Sequence, residues 1–311
     1  VKATGPKTLL EAIQYFADED VCIKTLAALR WPDGVIPCPE CSGTEHYYLA
    51  TRRVWKCKSC KRQFSIKVGT IFEDSPVKLS KWLPAMWLLS SAKNGISSYE
   101  LHRSIGVCQK TAWFMLHRIR AAMQSGTFEK LGGKVEADET FIGGKARNMH
   151  KDVKERRITG TGGKDKTAVL GLYDRETGSV YLEVVDGRAR EDLHPVIKDV
   201  VAKGSYLFTD SLPSYNGLTD YRHQIVDHAV AYVEGEVHTN SLENFWSCLK
   251  RTLHGTYVSV EPFHLFRYLD EQAFRFNERK VTDAQRFTTM LSQVSGRRLT
   301  YKKLTGKEQG A

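Results

Sequence analysis

Two Cys-x-x-Cys knuckles, Cys38-Pro39-Glu40-Cys41 and Cys57-Lys58-Ser59-Cys60, stand 15 residues apart in this 311-residue chain. A tight turn of this form presents two soft sulfur ligands, and two such turns complete the tetrahedron that structural zinc requires. Tyr47, Tyr48, Leu49, Val54 and Trp55 between the knuckles, and Phe64, Ile66, Val68 and Ile71 after them, have the short alternating pattern of ribbon strands. The spacing predicts a zinc ribbon over residues 35–75. Structural zinc in such small units contributes on the order of 10–16 kcal/mol, so the ribbon is expected to unfold without metal. Lys56, Lys58, Lys61 and Arg62 crowd the second knuckle and suit a polyanionic partner. Cys22, Cys108 and Cys248 are isolated, and paired knuckles in a chain without a secretion signal favour metal over disulfides. No apolar run approaches the roughly 20 residues of a membrane span, and Val1 to Leu10 lack the apolar core of a secretion signal. The expectation is a cytoplasmic protein with no membrane partner.

Helical periodicity flanks the ribbon. Leu9, Leu10, Ile13, Phe16 and Ala17, then Cys22, Ile23, Leu26, Ala27 and Leu29, recur at three and four, and Trp31-Pro32-Asp33-Gly34 closes this helical segment (residues 1–34). Residues 76–125 read as three helices. The first runs through Trp82, Leu83, Met86, Trp87 and Leu89; the second opens on Ser97 with Glu100 three residues on; Gly106 turns the chain into the third. A short helix, a glycine turn and a longer helix make a helix-turn-helix, with Gln109, Lys110 and Thr111 at the front of the recognition helix and Arg118 and Arg120 further along. Charge agrees with contact to double-stranded DNA. Basic residues outnumber acidic ones 18 to 10 over residues 1–125 and 9 to 3 over 275–311, whereas 126–274 carries 19 against 23.

From Lys134 the pattern changes to strands. Val135 to Ile142, Thr167 to Tyr173 and Ser179 to Val185 form three; a helix follows from about Arg190 to Ala202; Tyr206 to Asp210 and Gln224 to Val226 are two shorter strands; a long helix begins near Asn240. This is the order of an RNase H-like domain, a mixed five-stranded sheet with helices, expected over residues 130–280. The chain as a whole is therefore multidomain, α+β with α/β, and ends in a basic tail at 281–311. Three carboxylates stand out in that order: Asp138 in the first strand, Asp210 at the end of the fourth, and Glu243 in the first turn of the late helix, with 71 and then 32 residues intervening. Strands one and four are neighbours in this topology, so the three are expected to converge and hold two magnesium or manganese ions about 3.5–4 Å apart. Glu243 and Lys250 fall within about 20° of each other around the helix, at 100° per residue, so Lys250 is expected to meet DNA phosphate beside the metals. Glu136, on the same strand face as Asp138, and His238 are expected to support the site, whereas Glu139 points to the opposite face. The basic stretch Gly143 to Lys166, with eight basic against three acidic residues, is a candidate DNA-contacting loop.

Arg30-Trp31-Pro32-Asp33-Gly34 with its Cys-Pro-x-x-Cys, Glu136-Ala137-Asp138-Glu139-Thr140, His238 through Ser247, Lys250-Arg251 and Gly255-Thr256-Tyr257 resemble the ISXO-type bacterial insertion-sequence transposases over roughly residues 8–280. The resemblance implies a DDE transposase with Asp138, Asp210 and Glu243 as metal ligands, Lys250 and Arg251 as DNA contacts, and a homodimer or larger assembly joining transposon ends to target DNA. It also implies work on the bacterial nucleoid. Asn240 and His238 precede the same helix and compete for the third ligand position; Glu243 is preferred because a hard cation favours an ionised oxygen over an amide. Two rivals stay open: an RNase H-like nuclease without strand transfer, and a domesticated DNA-binding regulator.

Overall fold

The computed structural model describes residues 5–124, 130–143, 152, 166–226 and 238–306. The candidate DNA loop between Gly143 and Lys166 therefore lies almost wholly outside the described residues. The chain divides into two compact units, residues 1–124 with 278–311, and residues 125–277.

In the first unit, α1 (Leu9–Tyr15) and α2 (Glu19–Arg30) precede an antiparallel three-stranded ribbon, β1 (His46–Leu49), β2 (Val54–Cys57) and β3 (Gln63–Phe64). Three helices follow: α3 (Leu79–Ser91), α4 (Ser98–Ile105) and α5 (Gln109–Met123). Helix α3 is the hub, with Trp82, Leu83, Met86 and Trp87 all buried. Its own N-cap residue, Lys78, makes no side-chain bond; the Glu19 carboxylate instead accepts from the amides of Leu79 (2.8 Å) and Ser80 (3.1 Å). Ser97 accepts from Glu100 N–H to start α4, and Gly106 ends it at φ +62°, a left-handed turn that glycine adopts without steric cost.

The chain beyond Glu278 is no independent tail. Helix α9 (Asp283–Ser292) buries Phe287, Met290 and Leu291, and the Phe287 ring lies 5.7 Å from Phe16 and 5.0 Å from Trp87. The last helix, α10 (Tyr301–Leu304), buries Leu304. Basic composition suggested a tail; the apolar period of Phe287, Met290 and Leu291 prevails because it completes the α3 core.

The second unit is a five-stranded sheet: β4 (Lys134–Ile142), β5 (Thr167–Asp174), β6 (Ser179–Val185), β7 (Tyr206–Asp210) and β8 (Arg222–Val226), in the order β6-β5-β4-β7-β8. β4, β5 and β6 are antiparallel neighbours, and β4, β7 and β8 run parallel. Helix α6 (Arg190–Val200) covers one face, where Val135, Ala137, Leu170, Leu172 and Leu207 meet Leu193 and Ile197. Helices α7 (Asn240–Thr252) and α8 (Leu265–Asn277) cover the other, where Val169 and Val180 meet Leu242, Phe245, Trp246 and Leu269. Strand alternation thus sends Glu136 and Asp138 toward α7, and Val135 and Ala137 toward α6. Among the described residues, no helix is long and apolar enough to cross a membrane.

Candidate active site and metal centres

The four knuckle sulfurs form one cluster, all within 4.8 Å of one another, with Cys38–Cys60 and Cys41–Cys57 both at 3.6 Å. Tetrahedral zinc with Zn–S near 2.3 Å sets its sulfurs roughly 3.8 Å apart, so the donors fit that metal. Both turns are built alike. The residue after each second cysteine, Ser42 and Lys61, has positive φ (58° and 62°), which folds the backbone around the sulfurs. Backbone N–H groups of Cys60 and Ser59 point at Cys57 and pull its thiol down to about 6, and those of Cys41 and Glu40 lower Cys38. Thiolate, the form that binds metal, is therefore favoured at Cys57 and Cys38, whereas at Cys60 the Arg62 backbone bond is outweighed by desolvation and the three neighbouring sulfurs, which push the thiol up to about 12. A Cβ on Gly43 would sit 3.1 Å from Ser59 Oγ and 3.5 Å from Cys41 Sγ, so the cradle is closed by a residue with no side chain.

The carboxylate site is assembled across the sheet. Parallel pairing of Glu136 with Phe208, continued two residues along each strand, sets Asp138 level with Asp210 on the same face. Burial comes first in pushing the Asp138 carboxyl up to about 7, and the charges of Glu139 and Asp210 add to it. A buried acid facing further carboxylates has most to gain from a cation, and its donors are the hard oxygens that magnesium and manganese prefer. The indole N–H of Trp246 donates to Asp138 Oδ2 at 2.9 Å. It reaches there because Gly171, which pairs with Asp138, has no side chain: a Cβ would lie 2.5 Å from the Trp246 ring. Glu243, Trp246 and Lys250 fall within about 60° of each other around α7, at 100° per residue. Glu243 and Lys250 are exposed, as is Arg251. The three carboxylates are not gathered as tightly as the thiols. Among the described residues, the cysteine set is the one group of three or more His, Cys, Asp or Glu ligand atoms so close together.

What places α7 here is Glu136. It is fully buried, and its Oε2 accepts from the amides of Ser241 (3.1 Å) and Leu242 (3.2 Å) while Oε1 accepts from Ser241 Oγ (3.0 Å). The N-cap residue Thr239 makes no side-chain capping bond to the helix, and a carboxylate from β4 caps it instead, meeting the positive end of its dipole. Arg175, in the β5–β6 turn, donates from Nε to Glu136 Oε1 (2.7 Å) and from Nη2 to the carbonyl (2.6 Å) and Nδ1 (2.9 Å) of His238, with its guanidinium 4.4 Å from the Phe208 ring centroid. Glu136 and His238 thus belong to the hinge that seats the helix. Asn240 is exposed at the first position of α7. Glu139 lies on the α6 face, where Tyr215 donates to it at 2.7 Å; burial, then Asp210, raises its carboxyl.

At the helix-turn-helix, α5 does begin at Gln109, but its leading residues differ in exposure. Lys110 is exposed; Gln109 and Thr111 are half-buried, the first donating to Ser98 Oγ at 2.8 Å and the second 3.1 Å from Cys108 Sγ. Arg118 and Arg120 are buried and structural: Arg118 donates to the carbonyls of Ile71, Glu73 and Leu299. Sequence reasoning missed Arg175 and the role of Trp246. A glycine inside a strand is the signal that could have exposed the latter, since it marks close approach by another group.

Known proteins now give this geometry a context. Residues 130–277 match the ISXO2-like transposase domain, and residues 17–63 match the transposase zinc-ribbon domain. The chain is 29% identical over 254 residues to an uncharacterized protein in the transposable element ISH50 of Halobacterium salinarum, covering 78% of this chain and 85% of that protein. It is 30% identical over 104 residues to an uncharacterized transposase-like protein of Haemophilus influenzae, covering 33% of this chain and 84% of that one. A simian T-cell lymphotropic virus intasome, solved with a PP2A regulatory subunit, aligns at TM-score 0.28 and 15% identity over 59% of this chain and 66% of its own, a level at which no correspondence of sites follows. With a zinc-ribbon match at its front and a transposase-domain match spanning the carboxylate sheet, the chain belongs to the ISXO2-like transposases.

Proposed function

We propose that the protein cleaves DNA at the ends of an insertion sequence and joins the freed 3′-hydroxyl to target DNA. The observation that supports this best is the alignment of Asp138 with Asp210 on one face of adjacent parallel strands, beside a helix that carries Glu243 and Lys250. Asp138, Asp210 and Glu243 would hold a pair of magnesium or manganese ions, which supply charge neutralisation at the scissile phosphate and activate the attacking hydroxyl. Glu136 fixes the helix N-terminus, and with it the approach of Glu243. Trp246 holds Asp138 in one orientation. Lys250 and Arg251 contact the DNA backbone, and their exposure leaves them available for it. The chain's contribution is positioning and fixed charge, with no covalent nucleophile. The DNA is double-stranded, and joining two ends to a target requires at least a homodimer.

The test is strand transfer by the full zinc-loaded chain, using labelled DNA that carries its element's ends, a plasmid target and magnesium, with Asp210→Ala in parallel. Joined product that disappears in the variant is the expected result. Nicking without joining would favour a nuclease, and tight binding without cleavage in either metal would favour a regulator.

A further inference from the structure

We propose that the C-terminal segment Arg297–Gly306 completes the DNA-binding face of the helix-turn-helix, with Lys302 and Lys303 contacting duplex phosphates beside Lys110. The proposal rests on the reading of α5 as a DNA-facing helix and goes beyond it, because these lysines lie nearly two hundred residues away in sequence.

The segment is fastened along α5 from end to end. Arg297 Nη1 donates to the carbonyls of Ala121 (2.7 Å) and Gln124 (2.5 Å) at the helix C-terminus. Arg118 holds the Leu299 carbonyl at 3.0 Å. Nearer the front, the Tyr301 ring meets Phe114 edge-on at 5.6 Å, and Lys110 Nζ lies 5.2 Å from its centroid. Leu299 and Leu304 are each 2% exposed, so the apolar residues of the segment are spent on docking. Lys302 and Lys303 are left exposed beside the helix.

Charge selects the partner. Neither α5 nor residues 293–306 contain a single Asp or Glu. Arg298 is paired with Glu73 and Asp74 and is not offered to DNA. An exposed strip with lysines from two elements and no carboxylate of its own matches a duplex backbone, where flanking phosphate contacts fix a recognition helix in register.

The experiment measures binding of the full zinc-loaded chain to a fluorescein-labelled random-sequence duplex across a sodium chloride series. The Lys302→Ala/Lys303→Ala variant is expected to bind severalfold more weakly and to lower the slope of log affinity against log salt by about 2, one per phosphate contact. Its melting temperature should stay at the wild-type value, both side chains being exposed. Lys7→Ala/Lys24→Ala, which removes two exposed lysines on and before the first helices, is the charge control. Equal losses in the two double variants would overturn the proposal in favour of a general charge effect. Loss in Lys110→Ala with none in Lys302→Ala/Lys303→Ala would overturn it and spare α5 as the DNA-facing helix. No loss in either would remove both.

Discussion

The thiolate cluster and the proposed carboxylate site would solve the same problem, holding cations, in opposite ways. All four sulfur ligands lie within 23 residues, on two turns that each shape their own pair, and the sulfurs stand within 4.8 Å of one another. The carboxylates are drawn from two strands and a helix spread over more than a hundred residues, and the site exists only if the sheet pairs in register and α7 is seated by Glu136. A local site fails when its metal leaves. A distributed one fails when its supports do.

The largest expected effect tests the first half of that contrast. Cys57→Ser, or exhaustive chelation of the wild type, should release zinc and abolish protection of the β1–β3 amides from hydrogen exchange. The unit at 125–277 should keep its protection, having no ligand in the cluster. Loss of the order of 10 kcal/mol of metal-linked free energy leaves a three-stranded ribbon nothing to fold with. Retention of one zinc and of ribbon protection by Cys57→Ser would break the contrast.

The converse prediction concerns Glu136. Glu136→Ala leaves Arg175 without its buried carboxylate and α7 without its cap, and should cost about 3–5 kcal/mol, the usual scale for removing one partner of a buried ion pair. Exchange of the α7 and β4 amides reads it directly, with zinc content unchanged. If α7 keeps wild-type protection, the helix is seated by its apolar stripe alone.

These two cases explain what could be read in advance. The knuckles were legible because four ligands and their spacing are a local pattern. The strand order was legible because period-two alternation and a strand ending in a carboxylate survive in sequence. What Glu136 does was not. Its partners, Ser241, Leu242 and Arg175, are brought together by topology, and no spacing announces a cap donated from a strand. The place of Arg118 was not legible for a related reason. An arginine on a presumed recognition helix looks like a DNA contact until the segment around Leu299 folds over it and offers a carbonyl. The apolar period of α9 was present in the sequence but was outweighed by the basic residues around it.

A smaller effect is expected at Gly171. The Cβ of Gly171→Ala would fall 2.5 Å from Trp246, so the indole must move and its bond to Asp138 must lengthen or break. Overpacking of this kind costs about 1–3 kcal/mol. Manganese affinity measured by titration calorimetry should fall with it. Trp246→Phe, which removes the N–H and keeps most of the ring, should lower metal affinity with a smaller loss of stability. Unchanged affinity in both variants would make Trp246 a packing residue and nothing more.

The smallest effect lies behind Asp210, on the opposite face of β7. There His223 Nε2 is 2.9 Å from Thr209 Oγ1, and His194 Nε2 is 2.9 Å from the Ser214 carbonyl. Burial, and then the neighbouring His194, lower His223; burial, with Arg190 and Lys198 adding to it, lowers His194. A base held below its unfolded value of about 6.5 binds fewer protons when folded. Its contribution to stability is complete above that value, is lost as pH falls through 6.5 toward the folded pKa, and levels off below it. Asp138, raised to about 7, works in the other direction, since its folded form binds more protons. The wild-type curve alone therefore mixes two opposed slopes. Subtracting the urea-unfolding curve of His223→Gln at each pH cancels the Asp138 contribution, common to both proteins, and leaves the histidine. Wild type should lose stability relative to the variant as pH falls below about 6.5. A flat difference across that range would mean that His223 titrates as it does in the unfolded chain, and that the back of the carboxylate strand adds nothing to the response of this unit to acid.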